Sequence, residues 1–277
     1  MGGLITTMRA MQFKYSEATL MDQLPFLDYD RTPKALLNPD HDLPALKNFP
    51  QLVLLAFLTR ETIDKFVTTH NGQQIAVIET VAATTPIFQI SWAGTTIALC
   101  QAALGAPAAV LDFDLLIAYG AKTIVAVGSC GELQTVAPGT VLIPTAALRD
   151  EGTSYHYLPA APEIKLNSAV YNQLAQVIQA QQLTPQFVKT WTTDGYFRVT
   201  QQLVQQRTQA GFTVVEMECA ALAACAQFRQ VAFGQLLFTA DTMTDLTNWQ
   251  PRDFGRSAHA KMLHLSIQCL ATFAESI

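Results

Sequence analysis

Charge is scarce in this sequence of 277 residues: only 14% of it is charged, against roughly 25% in an average soluble domain. Lys and Arg total 17 and Asp and Glu 22, for a formal charge of -5 and no basic block. A nucleic-acid backbone needs clustered cations, so nucleic acid is excluded as the expected partner. Long hydrophobic runs are also missing. The longest, such as Gln51 to Leu58, stop far short of the roughly 20 apolar residues that span a bilayer, and no membrane partner is expected. Met1-Gly2-Gly3-Leu4-Ile5-Thr6 fits a myristoylation pattern by chance, since neither a polybasic second signal nor the apolar core of a secretion signal follows. There is no disulfide framework either. Cys100, Cys130, Cys219, Cys225 and Cys269 are odd in number and lack paired or metal-ligand spacing, which points to a reducing cytoplasm and buried thiols. His41, His70, His156, His259 and His264 form no ligand grouping, so no metal is expected.

What is present is apolar: 50% of the residues are hydrophobic, enough for a large core. From Gln51 onward, β-rich runs alternate with Ala/Leu/Gln-rich helical stretches. Strands are predicted over residues 52–58, 74–79, 86–92, 123–127, 140–144, 187–192 and 231–239. Helices are predicted over 61–68, 95–104, 110–119, 166–181, 201–210, 218–228 and 257–273. That alternation predicts an α/β fold in three layers around one mostly parallel or mixed sheet. Residues 1–50 carry Pro25, Pro33, Pro39, Pro44 and Pro50 and read as an arm wrapped on the body or on a neighbouring subunit. Residues 51–277 read as one domain.

Four segments carry candidate chemistry. In Ile124-Val125-Ala126-Val127-Gly128-Ser129-Cys130-Gly131 an apolar strand runs into a Gly-bracketed turn, which suits an anion or serves merely as a structural turn. In Val214-Val215-Glu216-Met217-Glu218 two acids precede an Ala-rich helix. They either sit at the favourable end of its dipole or hold sugar hydroxyls while Met217 lies on the sugar's apolar face. Leu236 to Thr239 forms a buried strand that delivers Asp241 at its carboxyl end, where open α/β sheets bind ligands; a helix-capping role is the alternative. After Asp194, the aromatic pair Tyr196-Phe197 is able to stack on a flat ring or fill core.

In this order, together with Ala147 to Tyr157, these segments resemble the nucleoside phosphorylase-I family, which holds purine nucleoside phosphorylases, uridine phosphorylases and the related methylthioadenosine/adenosylhomocysteine nucleosidases. The resemblance covers about residues 50–275. It implies an α/β sandwich with a central mixed, partly barrel-like sheet, assembled as a homo-oligomer, a dimer or hexamer, with sites near subunit contacts. Carried over by position, Gly128 and Ser129 would contact phosphate. Glu216, Met217 and Glu218 would hold the ribose, Tyr196 would stack on the base, and Asp241 would face the purine ring. The implied reaction is phosphorolysis of a nucleoside to free base and ribose 1-phosphate, with inorganic phosphate as co-substrate and no other cofactor. Glu218 and Asp241 are the catalytic pair: Glu218 opposes the charge growing on the sugar, and Asp241 protonates the leaving base at N7.

The sequence departs from the family at its phosphate end. Phosphorylases commonly carry an arginine where Ala126 stands, and the usual Gly-Asp-Pro element is replaced by Ala56-Phe57-Leu58-Thr59-Arg60. Arg60 is the candidate replacement cation, with a solvated first helical turn as its other reading. Arg149 reads as an ion-pair partner of Asp150 or Glu151, and His156 as a further residue able to line the site. Asp241 favours purines, whereas the run from Arg149 to Tyr157 resembles uridine phosphorylase-like members. The missing arginine leaves a hydrolytic nucleosidase as the alternative. A non-catalytic nucleoside-binding protein is disfavoured by the Glu218 and Asp241 pair.

Overall fold

A computed structural model describes residues 24–40, 46 and 48–276. The myristoylation-like stretch and Pro44 lie outside them. The strands are β1 (Leu52–Phe57), β2 (Gln73–Glu79), β3 (Thr84–Trp92), β4 (Thr95–Gln101), β5 (Thr123–Glu132), β6 (Val141–Asp150), β7 (Glu163–Lys165), β8 (Pro185–Thr193), β9 (Val214–Glu216) and β10 (Ala232–Thr242). The helices are α1 (Arg60–Thr69), α2 (Ala106–Tyr119), α3 (Ser168–Ala180), α4 (Gln201–Gln209), α5 (Cys219–Arg229) and α6 (His259–Ala271). Their sheet runs β2-β3-β4-β1-β5-β9-β8-β6-β10, with β7 on β6. Because β10 also pairs with β5, the strands β5, β9, β8, β6 and β10 close into a barrel, and the other strands extend from it as an open mixed sheet. Closure removes the exposed edges that an open sheet would leave.

Alternation along the central strands builds the two outer layers. Val53 and Leu55 of β1, with Ile124 and Ala126 of β5, face the cluster under α2 and α5. Leu52, Leu54 and Ala56, with Val125 and Val127, face the cluster under α1, α3 and α6. Fully burying each Val, Leu or Ile among them is worth roughly 1.5–3 kcal/mol, so a one-residue register slip is heavily penalised. The result is the three-layer α/β sandwich with a partly barrel-like mixed sheet. Among the described residues no helix is long and apolar enough to cross a membrane.

Three local expectations change. Residues 95–104, expected as helix, contain strand β4. Trp92 pairs with Thr95 across a two-residue turn in which Ala93 (φ 47°) and Gly94 (φ 80°) are both left-handed, the geometry that joins twisted strands. Ile97–Cys100 are then buried on both faces, which erases the alternation that would mark a strand. Second, Gly128-Ser129-Cys130-Gly131 is not a turn: β5 stays extended to Glu132 because β10 remains paired alongside it from Thr123 to Glu132. Third, Arg149 does not pair with a neighbouring acid. Buried, it donates to Ser154 Oγ and to the carbonyls of Leu158 and Pro159 and lies over the Tyr155 ring. Within residues 24–40 the one helical turn is Pro25–Leu27, where Phe26 packs edge-on against Tyr155 at 5.4 Å.

Candidate active site

The site opens where a ladder is interrupted. On one side, β5 pairs with β1 as far as Phe57–Gly128 and with β9 from Gly131–Val215 onward, which leaves Ser129 and Cys130 without a strand partner there. Gly128 allows the close approach of β1: a Cβ at this position would lie 3.0 Å from Phe57 Cβ. On the other side, β10 shifts register between Thr239 and Asp241. A bulge of this kind re-aims side chains, and Asp241 Oδ1 comes within 3.2 Å of where a Gly131 Cβ would stand. Trp249 Nε1 donates to Asp241 Oδ2 at 2.7 Å and holds that oxygen in place.

The two acids beside α5 have different surroundings. Glu216 points inward: its Oε2 accepts the N–H groups of Glu218 (2.8 Å) and Cys219 (2.7 Å), and its Oε1 accepts Thr192 Oγ1 (2.6 Å) and Thr190 Oγ1 (3.2 Å). It therefore works as the N-terminal cap of α5, in a place where helix N–H groups lack intrahelical partners. Burial raises its pKa while these hydrogen bonds oppose the rise. Glu218, two residues on, accepts the Gly105 N–H through Oε1, at 2.6 Å. Burial first, and the Glu216 carboxylate second, push its pKa up to about 8.

Two cavities meet at Glu218. The first, about 420 Å³, has largely apolar walls that include Tyr196, Val204, Met243 and Trp249, with Met217, Glu216 and Asp241 at its polar end. The second, about 330 Å³, is lined by Gly128, Thr59, Gln235, Arg256 and His259. Leu104, Ser129, Glu218 and Phe254 line both. A carboxylate at the junction of a largely apolar cavity and a second one that carries Arg256, His259 and Gln235 is the arrangement a molecule with an aromatic ring, a polyol and an anion would occupy.

Residues 52–271 match the family model of the phosphorylase superfamily. The chain belongs to that superfamily. It is 25% identical over 158 residues to the guanosine phosphorylase of Halorubrum lacusprofundi, covering 54% of this chain and 63% of that protein. Against the uridine phosphorylase of Haemophilus influenzae it is 32% identical over 84 residues, covering 28% and 33%. The matched stretch is thus less than two thirds of either relative. The fold is shared with a purine nucleoside phosphorylase of Toxoplasma gondii solved in complex with immucillin-H (TM-score 0.70, 17% identity, 83% of this chain and 94% of that one). It is shared as well with an AMP nucleosidase of Bacteroides thetaiotaomicron (TM-score 0.67, 23% identity, 83% and 91%).

Within this superfamily member, most of the candidate residues converge. Ser129, Glu216, Met217, Glu218, Tyr196 and Asp241 line the first cavity, and Gly128 the second. Arg60 lines neither. It sits in the first turn of α1, where its Nε donates to Asp64 Oδ1 at 2.7 Å and its guanidinium lies over Phe88; the helical i,i+4 spacing that makes this pair turns it away from the cavities. Arg149 and His156 also lie outside both walls. Trp249, Phe254, Arg256, His259 and Gln235 were not legible as site residues. Four of them follow β10 in a segment without a motif, and Gln235 lies in an apolar strand where one polar residue gives little signal.

Proposed function

We propose that the protein is a nucleoside phosphorylase, a pentosyltransferase that cleaves the N-glycosidic bond of a nucleoside with inorganic phosphate, purine favoured over uridine. The observation that supports this reading is the position of Glu218 at the junction of the two cavities, with Asp241 at the polar end of the first. In this reading the base enters the apolar cavity against Tyr196, and the sugar lies at the junction on Met217 with its hydroxyls donating to Glu218. Phosphate approaches from the Gly128 and Ser129 side. Bond cleavage builds positive charge on the sugar and negative charge on the base, so a carboxylate at the first and a proton donor at the second lower the barrier together. Glu216 supports the site by fixing the start of α5, which carries Met217 and Glu218 into place. No metal or organic cofactor enters the scheme, and the protein acts in the cytoplasm as a homo-oligomer.

Hydrolysis by a nucleosidase is the second reading, favoured by Ala126 and by the shared fold with an AMP nucleosidase. A panel of purine nucleosides and uridine, assayed with and without phosphate for free base and ribose 1-phosphate, separates the two. Phosphate-dependent release of ribose 1-phosphate is expected. Equal rates without phosphate, with free ribose as product, would leave the nucleosidase.

A further inference from the structure

We propose that the second cavity is an inorganic-phosphate site in which Arg256 supplies the positive charge that Ala126 withholds, with Gln235 and His259 completing the donor and acceptor set. The role of the anion in catalysis rests on the phosphorylase reading; the site itself does not. The strand β5 offers an anion little beyond the Ser129 hydroxyl and the short stretch of backbone left unpaired at Ser129 and Cys130. Position 126 is buried among apolar side chains under α2 and α5, so no cation reaches the cavity from there.

The register partner of Ala126 on β10 is Gln235, which lines the second cavity. It is 1% exposed, and its Oε1 has no hydrogen-bond partner among the described residues. A buried amide oxygen left unpaired is costly, and a ligand that donates to it from this cavity would remove that cost. Inorganic phosphate at neutral pH keeps at least one P–OH besides its acceptor oxygens. Sulfate and a phosphate monoester dianion keep none. Arg256 lines the same cavity and, among the described residues, makes no side-chain hydrogen bond or ion pair, so its fork of donors is uncommitted. Its position is built: Gly255 is left-handed (φ 71°), and a Cβ there would meet Phe238 Cε2 at 2.6 Å, so only glycine seats this turn. His259 Nδ1 faces the Thr59 N–H at 3.5 Å, which makes Nδ1 the acceptor and leaves the proton of the neutral ring on Nε2.

The test titrates inorganic phosphate and sulfate into the full chain by calorimetry and measures KM for phosphate and for the nucleoside. Arg256 is exposed, so Arg256→Gln retains the fold, checked by circular dichroism. It should raise Kd and KM for phosphate about 10- to 100-fold and leave the nucleoside KM unchanged. Gln235→Leu should weaken phosphate more than sulfate, narrowing the preference between them. Phosphate binding that is absent in the wild type, or unchanged by Arg256→Gln, overturns the assignment, as does a phosphate KM that responds to Arg60→Gln instead. Wild-type protein that binds phosphate through Arg256, yet releases free ribose at a phosphate-independent rate, keeps the site and removes the phosphorylase reading. A further arm offers a nucleoside 5′-monophosphate without added phosphate. If it is cleaved with a lower KM than the nucleoside and Arg256→Gln abolishes that advantage, the anion belongs to the substrate and the inorganic-phosphate assignment falls.

Discussion

Glu216 and Glu218 stand two residues apart and do opposite things because of what each carboxylate touches. Glu216 is saturated by four donors, whereas Glu218 accepts the Gly105 N–H and faces both cavities. Replacing Glu218 by Gln keeps the shape and removes the ability to ionise, so kcat/KM should fall by roughly 10²- to 10³-fold above about pH 8, where the wild-type carboxylate carries its charge. The same substitution should act oppositely on stability. With its pKa raised to about 8, folded Glu218 holds a proton that the unfolded chain has released. Its contribution to stability is therefore complete below the ordinary carboxylate range and is lost as pH rises through about 8. Glu218→Gln should melt at the same temperature as wild type at pH 5 and higher than wild type at pH 9, measured by thermal denaturation. A mutant with near-native kcat/KM would refute the sugar-holding role. In the proposed reaction Asp241 carries the choice of base. A purine leaves with N7 able to take a proton and a pyrimidine has no N7, so Asp241→Ala should slow natural purine nucleosides by roughly 10²-fold or more. It should largely spare uridine and 7-methylguanosine, whose N7 needs no proton. Equal slowing of all three would make Asp241 structural.

At the level of elements, the first turn of α5 is held by a carboxylate from the preceding strand rather than by its own N-cap side chain. Thr192 Oγ1 extends the network, accepting the Ala220 N–H at 3.0 Å while donating to Glu216. Glu216→Ala would orphan two N–H groups and two hydroxyls in a buried place, for a loss of roughly 2–4 kcal/mol. Urea denaturation measures this, and a change under 1 kcal/mol would show that the cap is dispensable. The sequence pattern made the pair Glu216 and Glu218 visible, because two acids before an Ala-rich helix are rare enough to notice. It did not say which acid caps and which faces the ligand, since that depends on Thr190 and Thr192 arriving from β8. The strands β1, β5 and β10 were legible from apolar runs bounded by breakers. The strand β4 was not, because burial on both faces left Ile97-Ala98-Leu99-Cys100 with no period and helix-forming composition. Arg256 and Trp249 were hidden for another reason: they reach the cavities from the segment after β10, where contacts such as Arg252 with Glu132 and Gln201 with the Leu246 carbonyl join residues far apart in the chain.

Across the whole molecule, two apolar layers and a closed barrel account for nearly all the buried hydrophobic residues, yet several large ones remain outside. Phe197 is 93% exposed and Leu104 75% exposed, and both line the first cavity together with the half-exposed Tyr196, Trp249 and Phe254. Scattered exposed apolar residues need no explanation, but a group around one cavity marks a surface that something covers. The resemblance seen in the sequence implies a site near a subunit contact, and on that reading a second copy of this chain is the cover. Light scattering at assay concentration should then find a dimer or larger species. Phe197→Asp, which places a charge on an exposed side chain and leaves the protomer core intact, should shift the population toward monomer and raise KM for the nucleoside, because the cavity loses part of its cover. Glu61→Gln, on the exposed surface of α1 and outside both cavities, serves as the charge-change control and should alter neither. A wild-type monomer with full activity would show that one chain closes its own site, and the exposed rim would then need a different partner.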